Sequence, residues 1–92
     1  MSEYITEEEY EEVKRLIEII TGVSSKAKAA PYLERLDFLS HHYTGYTGIV
    51  FSDLVCSAKC AAGQVADKER KLFFCNQDLF KLGYRVKKDG NH

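Results

Sequence analysis

The sequence predicts an all-α protein: a compact bundle of four helices with a short C-terminal tail. Three observations predict it. Apolar residues recur at spacings of three and four along most of the 92-residue chain, the period of helices with one buried face. Only one proline interrupts the pattern, and proline is the residue a helix interior tolerates least. The length suits one core and not two, because short chains bury too little surface to stabilise independent units. Residues 1–92 therefore read as a single helical domain, with 84–92 as a basic, partly frayed tail.

Helix one is expected near residues 6–21. Thr6 followed by Glu9 fits a capping box, in which hydroxyl and carboxylate each satisfy an orphan backbone N–H. Glu7, Glu8 and Glu9 fall in the first turn, where the helix dipole favours negative charge. Tyr10, Val13, Leu16, Ile17 and Ile20 mark the buried face. Glu11 and Arg15 make an i,i+4 pair on the wet side, and Gly22 is placed to close the helix in the left-handed conformation. Ser24 and Ser25 can start the second helix. Pro31 fits best at the first helical position, which moves the start to about Ala30 and sets the helix at 31–43. Its stripe is Tyr32, Leu36, Leu39 and Tyr43, and the Thr44–Gly48 stretch, with glycines at 45 and 48, reads as a turn.

Beyond Ile49, residues Val50, Leu54, Ala58, Ala61 and Val65 form one stripe, widened by Phe51, Val55 and Ala62. The phase continues through Leu72, Phe73, Asn76, Leu79 and Phe80. One helix from 49 to 82 would be roughly 50 Å long. A globule of this size has a radius of gyration of only about 12 Å. A break between Gly63 and Asp67 follows, with Asp67 as the new N-cap and helices at 49–63 and 67–82. The expected core is Val13, Leu16, Ile17, Ile20, Leu36, Leu39, Val50, Leu54, Ala58, Ala61, Val65, Leu72, Leu79 and Phe80. The alternative is an α+β fold, since Gly48–Ser52 and Lys71–Cys75 hold Ile-Val-Phe and Leu-Phe-Phe, good strand material. Tyr84–Lys88 is a short strand or an ordered tail.

Thirteen Lys and Arg oppose fourteen Asp and Glu, so no strong overall field draws in nucleic acid. The distribution is uneven: residues 1–46 carry five basic and nine acidic side chains, and residues 47–92 eight and five. Cys56, Cys60 and Cys75 are odd in number, which argues against a closed disulfide framework and for reduced thiols. No basic leader with an apolar stretch opens the sequence, and no apolar run approaches the roughly 20 residues that span a bilayer. A cytoplasmic location without a membrane partner is the expectation.

Cys56 and Cys60 share one helix face with Ser52, Ser57 and Gly63. A small-residue face lets another helix come close, so homo-oligomerisation through Cys56, Cys60 and Gly63 is one expected use. A zinc site would need Cys75 and one of His41, His42 or His92 to complete it, and the spacing does not match the usual paired knuckles. His41 and His42 point about 100° apart on a helix and cannot converge on one ion. No metal or cofactor is expected, and a metal-stabilised domain is the last alternative. No phosphate loop, zinc-protease helix, calcium loop or dinucleotide fingerprint occurs, so an enzyme is not expected.

Two charged surfaces remain. Lys68, Arg70, Lys71, Lys81, Arg85, Lys87 and Lys88 make the last third basic, interleaved with Phe73, Phe74, Phe80 and Tyr84. Basic and aromatic residues together bind single-stranded nucleic acid, but here most of the aromatics fall on the expected core stripe, Phe74 excepted. Nucleic-acid binding is therefore the second reading. The first is a non-enzymatic protein-binding module, regulatory or inhibitory, that meets a basic protein partner through Glu7, Glu8, Glu11 and Glu12 of helix one, with Ile19 as an apolar anchor. In size and in that acidic first helix the chain is similar to the helical immunity proteins of nuclease bacteriocins. Their aromatic pair followed by proline on the third helix is missing here.

Overall fold

Thr6 opens the first helix as its sequence predicts, its hydroxyl accepting from the Glu9 backbone N–H at 3.1 Å. The computed structural model describes residues 2–63 and 68–87. Val65, Asp67, Lys88 and the 89–92 end of the expected tail lie outside the described residues. The order of elements is β1 (Ile5–Thr6), α1 (Glu7–Gly22), α2 (Lys26–Ser40), α3 (Gly45–Ala61), α4 (Lys68–Gly83) and β2 (Val86–Lys87). The fold is an all-α four-helix bundle. Both segments that could have been strands, 48–52 and 71–75, are helical. No described helix is long and apolar enough to cross a membrane.

The capping box is only half formed. Glu9 does not reach back to the cap; its Oε2 accepts a hydrogen bond from the Tyr43 hydroxyl, which ties α1 to the end of α2. On the wet side Glu11 pairs with Lys14 at 2.9 Å rather than with Arg15. Gly22 is a helical residue, not a left-handed cap. The chain leaves α1 through Val23, whose extended backbone still donates to the Ile19 carbonyl at 3.1 Å.

Helix α2 starts earlier than Pro31 suggests. Ser25 is the N-cap and accepts from the Lys28 N–H at 3.2 Å, and the good helix formers between Lys26 and Ala30 follow it. Pro31 therefore lies inside the helix, where it leaves the Ala27 carbonyl without its i+4 donor. Both residues face solvent. Helix α3 also starts early. Thr44 is its cap, Gly45 enters it at φ +64°, and the expected turn over 44–48 is its first turn.

The core gathers Val13, Leu16, Ile17 and Ile20 of α1, Leu36 and Leu39 of α2, and Val50, Leu54, Ala58 and Ala61 of α3, as expected. It adds Phe51, fully buried and stacked on Tyr43 with ring centroids 5.3 Å apart. Ile5 is also fully buried. It is held by the parallel pairing of β1 with β2, in which Ile5 faces Val86 and its N–H donates to the Arg85 carbonyl at 2.9 Å. That pairing orders the expected tail as far as Lys87.

The phase of α4 is the main correction. Its buried seam is Leu72, Cys75, Leu79 and Leu82; Cys75 and Leu82 are fully buried and the other two half-buried. Phe80, placed in the core by the sequence reading, is 64% exposed, and Phe73 is 61% exposed. Helix α4 is a new helix after the interruption that follows Ala61, so its phase need not continue that of α3. A cysteine on the seam, rather than a phenylalanine, also admits the close approach of α3, with which α4 shares the most extensive helix contact.

Candidate functional site

On α1, Glu8, Glu12, Arg15 and Ile19 follow one another at spacings of four, three and four, which places them on one stripe. Glu7, Glu11 and Glu18 lie beside it. Glu7, Glu8, Glu11, Glu12 and Arg15 line an open depression of about 550 Å³. Ile19, 38% exposed, stands one turn further on. The five acidic-face residues expected from the sequence are thus brought together, but not all are unengaged. Arg35 of α2 grips Glu12 through Nε at 2.7 Å and Nη2 at 3.2 Å. That fork holds the Glu12 carboxyl below its ordinary range by hydrogen bonding and charge. Glu11 raises the Lys14 ammonium by the same means. Glu7, Glu8 and Glu18 have no ion pair among the described residues.

The basic residues of the last third separate into distinct places. Arg70 and Lys81 are exposed on the outer side of α4, Lys71 is half-buried toward α3, and Lys87 is exposed on β2. The side chain of Lys68 and all of Lys88 lie outside what is described. Arg85 is half-buried and engaged within the fold. Its guanidinium lies 4.6 Å from the Tyr4 ring and 5.7 Å from the Tyr46 ring, and donates to Thr47 Oγ1 at 3.1 Å and the Glu3 carbonyl at 3.4 Å. It clasps the N-terminal segment to α3.

The outer face of α4 carries Phe80, which the sequence reading assigned to the core, and Phe73, which it put on the same stripe. Phe73, Gln77, Phe80 and Tyr84 run at spacings of four, three and four, and Tyr84 is 74% exposed. Phe73 meets Phe74 edge to face at 5.8 Å, and Phe80 meets Tyr84 at 5.1 Å. The signal that would have found this ridge is the alternative seam through Cys75 and Leu82. Both seams are written in the same letters, and only the contact with α3 selects between them.

The cysteine face is also rearranged. Cys56 and Cys60 are exposed, while Cys75 is buried behind them. Burial, helped by the nearby Asp78 and Cys60, pushes the Cys75 thiol up to about 11. Gly63 is not on an outer surface with the two exposed thiols. A Cβ there would lie 2.6 Å from the Lys26 nitrogen, so Gly63 packs against the start of α2. Ser57 is half-buried and turned toward α4. An open groove of about 200 Å³ between α3 and α4 is lined by Cys56, Ser57, Cys60, Lys71 and Phe74. Among the described residues no group of three or more His, Cys, Asp and Glu side chains converges as metal ligands would. His41 and His42 are exposed at the end of α2, His41 pairing with Asp37 at 3.5 Å. His92 lies outside the described residues.

Comparison of the chain with protein-family models, with curated proteins and with solved structures gives no significant match.

Proposed function

We propose that this protein is a small, non-enzymatic binding module, regulatory or inhibitory in role, that presents the outer face of α1 to a basic protein partner. The observation that carries the reading is the depression walled by Glu7, Glu8, Glu11 and Glu12, with the exposed Ile19 beside it. Charges clustered on one face steer a complementary partner and set its register. A partly exposed aliphatic side chain within such a face supplies the desolvated contact that charges alone lack. Glu7 and Glu8 act as the steering pair, because Glu12 is engaged by Arg35 and Glu11 by Lys14.

The test is fluorescence anisotropy with a labelled amphipathic peptide carrying a leucine stripe flanked by lysines. Binding to the native protein is expected to weaken at least about tenfold in the E8K/E11K double variant, which stays folded with a melting temperature lowered only by the lost dipole and Lys14 interactions. Equal binding by the variant overturns the reading.

A second reading, single-stranded nucleic acid at the basic end, gains from one observation. Phe73, Phe74, Phe80 and Tyr84 are exposed rather than buried, and base stacking requires accessible rings. It loses from another, the capture of Arg85 between Tyr4 and Tyr46. A titration with oligo-deoxythymidine across salt separates the two, because phosphate contacts weaken steeply as salt rises.

A further inference from the structure

The exposed ridge of α4 is the largest feature that the acidic face of α1 leaves unexplained. Isolated exposed apolar side chains are ordinary, but a contiguous row is a mark of association. Phe73, Phe80 and Tyr84 stand at i, i+7 and i+11, more than half exposed, and Phe74 lies beside them at 44%. None of them is required by the core, whose α4 seam is on the opposite side.

We propose that this ridge is a docking face for an acidic amphipathic helix of a partner protein. Three features specify that occupant. The first is shape. The ridge stands between two shallow recesses, one lined by Tyr10, Phe80, Gly83 and Tyr84, the other being the groove between α3 and α4. A helix laid along α4 seats its apolar side chains in such recesses, ridge into groove. The second is charge. Arg70 and Lys81 flank the ridge on one side, with Phe74 between them, and among the described residues Glu69 alone carries charge on the other, so a helix with carboxylates along the Arg70/Lys81 border is matched. The third is a pair of amides. Asn76 and Gln77 are exposed at mid-helix, between Phe73 and Phe80. A protein surface offers them hydrogen-bond partners, whereas lipid tails would leave them unsatisfied at a cost of several kcal/mol.

Other occupants fit less well. The ring pairs are edge to face, so they form no parallel platform for successive bases, and Arg85 is held in its clasp. A second copy pairing α4 antiparallel with α4 about a two-fold axis would set Arg70 and Lys81 of one chain against the same residues of the other. The α1 face of a second copy has the right charge but only Ile19 as an apolar contact. The proposal concerns a surface separate from the acidic face, and one experiment tests them apart.

That experiment measures anisotropy of a labelled peptide with a leucine stripe flanked by glutamates against the full chain. Parallel arms use the lysine twin, oligo-deoxythymidine, and vesicles of phosphatidylserine and phosphatidylcholine, and sedimentation reads the oligomeric state. The glutamate peptide is expected to bind and to lose at least about tenfold in affinity with F73A/F80A, and with R70E/K81E. E8K/E11K is expected to leave it unchanged while abolishing capture of the lysine twin, so failure of either proposal is visible without the other. Absent binding of the glutamate peptide, or binding indifferent to F73A/F80A, overturns the proposal. So does oligonucleotide or vesicle binding that F73A/F80A abolishes, or a dimer that those substitutions dissolve.

Discussion

Ser57 of α3 donates a hydrogen bond to Oδ2 of Asp78 at 2.8 Å, across the interface between the last two helices. Asp78 is buried, and no salt bridge reaches it among the described residues. A buried carboxylate left without its donor bears its own desolvation penalty, which is larger than the value of the bond that was lost. Ser57→Ala is therefore expected to destabilise by about 1–3 kcal/mol, although a serine-to-alanine change on a helix is otherwise mild. Asp78→Asn combined with Ser57→Ala should recover part of that loss, because the neutral amide is less costly to bury. Chemical denaturation of the two variants checks both statements.

Gly63 and Gly22 look alike in the sequence and are opposite in the structure. Gly63 takes φ +71°, and a Cβ on it would stand 2.6 Å from the Lys26 nitrogen and 3.1 Å from the Ser25 carbonyl carbon. Gly63→Ala is expected to cost about 1–3 kcal/mol from the backbone conformation alone, and more from the contact. Gly22 is helical with nothing within 4 Å of its would-be Cβ. Gly22→Ala should stabilise by about 0.5–1 kcal/mol. Thermal melts of the pair decide it, and a stabilising Gly63→Ala would contradict the packing described.

The four helices were legible because long stretches of period 3.6 survive local ambiguity. Their beginnings were less so, since Ser25 and Thr44 had to be weighed against Pro31, Gly45 and Gly48, residues that usually mark the edges of helices. Of the small sheet only one side was legible, β2 within the short strand or ordered tail expected over 84–88. Two residues on each side, separated by most of the chain, leave no periodicity to find, and Ile5 becomes a core residue only when Val86 arrives. The acidic stripe was legible as residue spacing, but the engagement of Glu12 by Arg35 depends on the tertiary approach of α2. The aromatic ridge was misassigned for an energetic reason: phenylalanine is the stronger hydrophobe, yet the space beside α3 accepts cysteine and leucine.

That reassignment has a direct consequence for stability. Leu82 is fully buried, and truncation to alanine removes its packing and leaves a cavity. Leu82→Ala should destabilise by about 2–5 kcal/mol. Phe73→Ala and Phe80→Ala remove larger side chains from exposed positions and should each stay within about 0.5 kcal/mol of the parent. Had the seam run through Phe73 and Phe80, the order would reverse. Denaturant midpoints of the three variants distinguish the two seams.

The thiols give a second, chemical reading of the same packing. Cys56 and Cys60 are exposed and Cys75 is fully buried. A chromogenic disulfide reagent should therefore titrate two thiols in the native protein at neutral pH and three in denaturant. Cys75 also makes a stability claim with a definite sign. In the unfolded chain its thiol ionises near pH ~8.5, whereas burial pushes it up to about 11 in the fold. Between those values the unfolded state has released a proton that the folded state retains, so stability falls as pH rises. Below that window the contribution is fully present. Cys75→Ala is expected to be less stable than the parent at neutral pH, through the lost packing, and to lack this part of the alkaline decline. The gap between the two proteins should therefore narrow from about pH 8 to about pH 10; a gap that stays constant would mean that Cys75 is in contact with solvent.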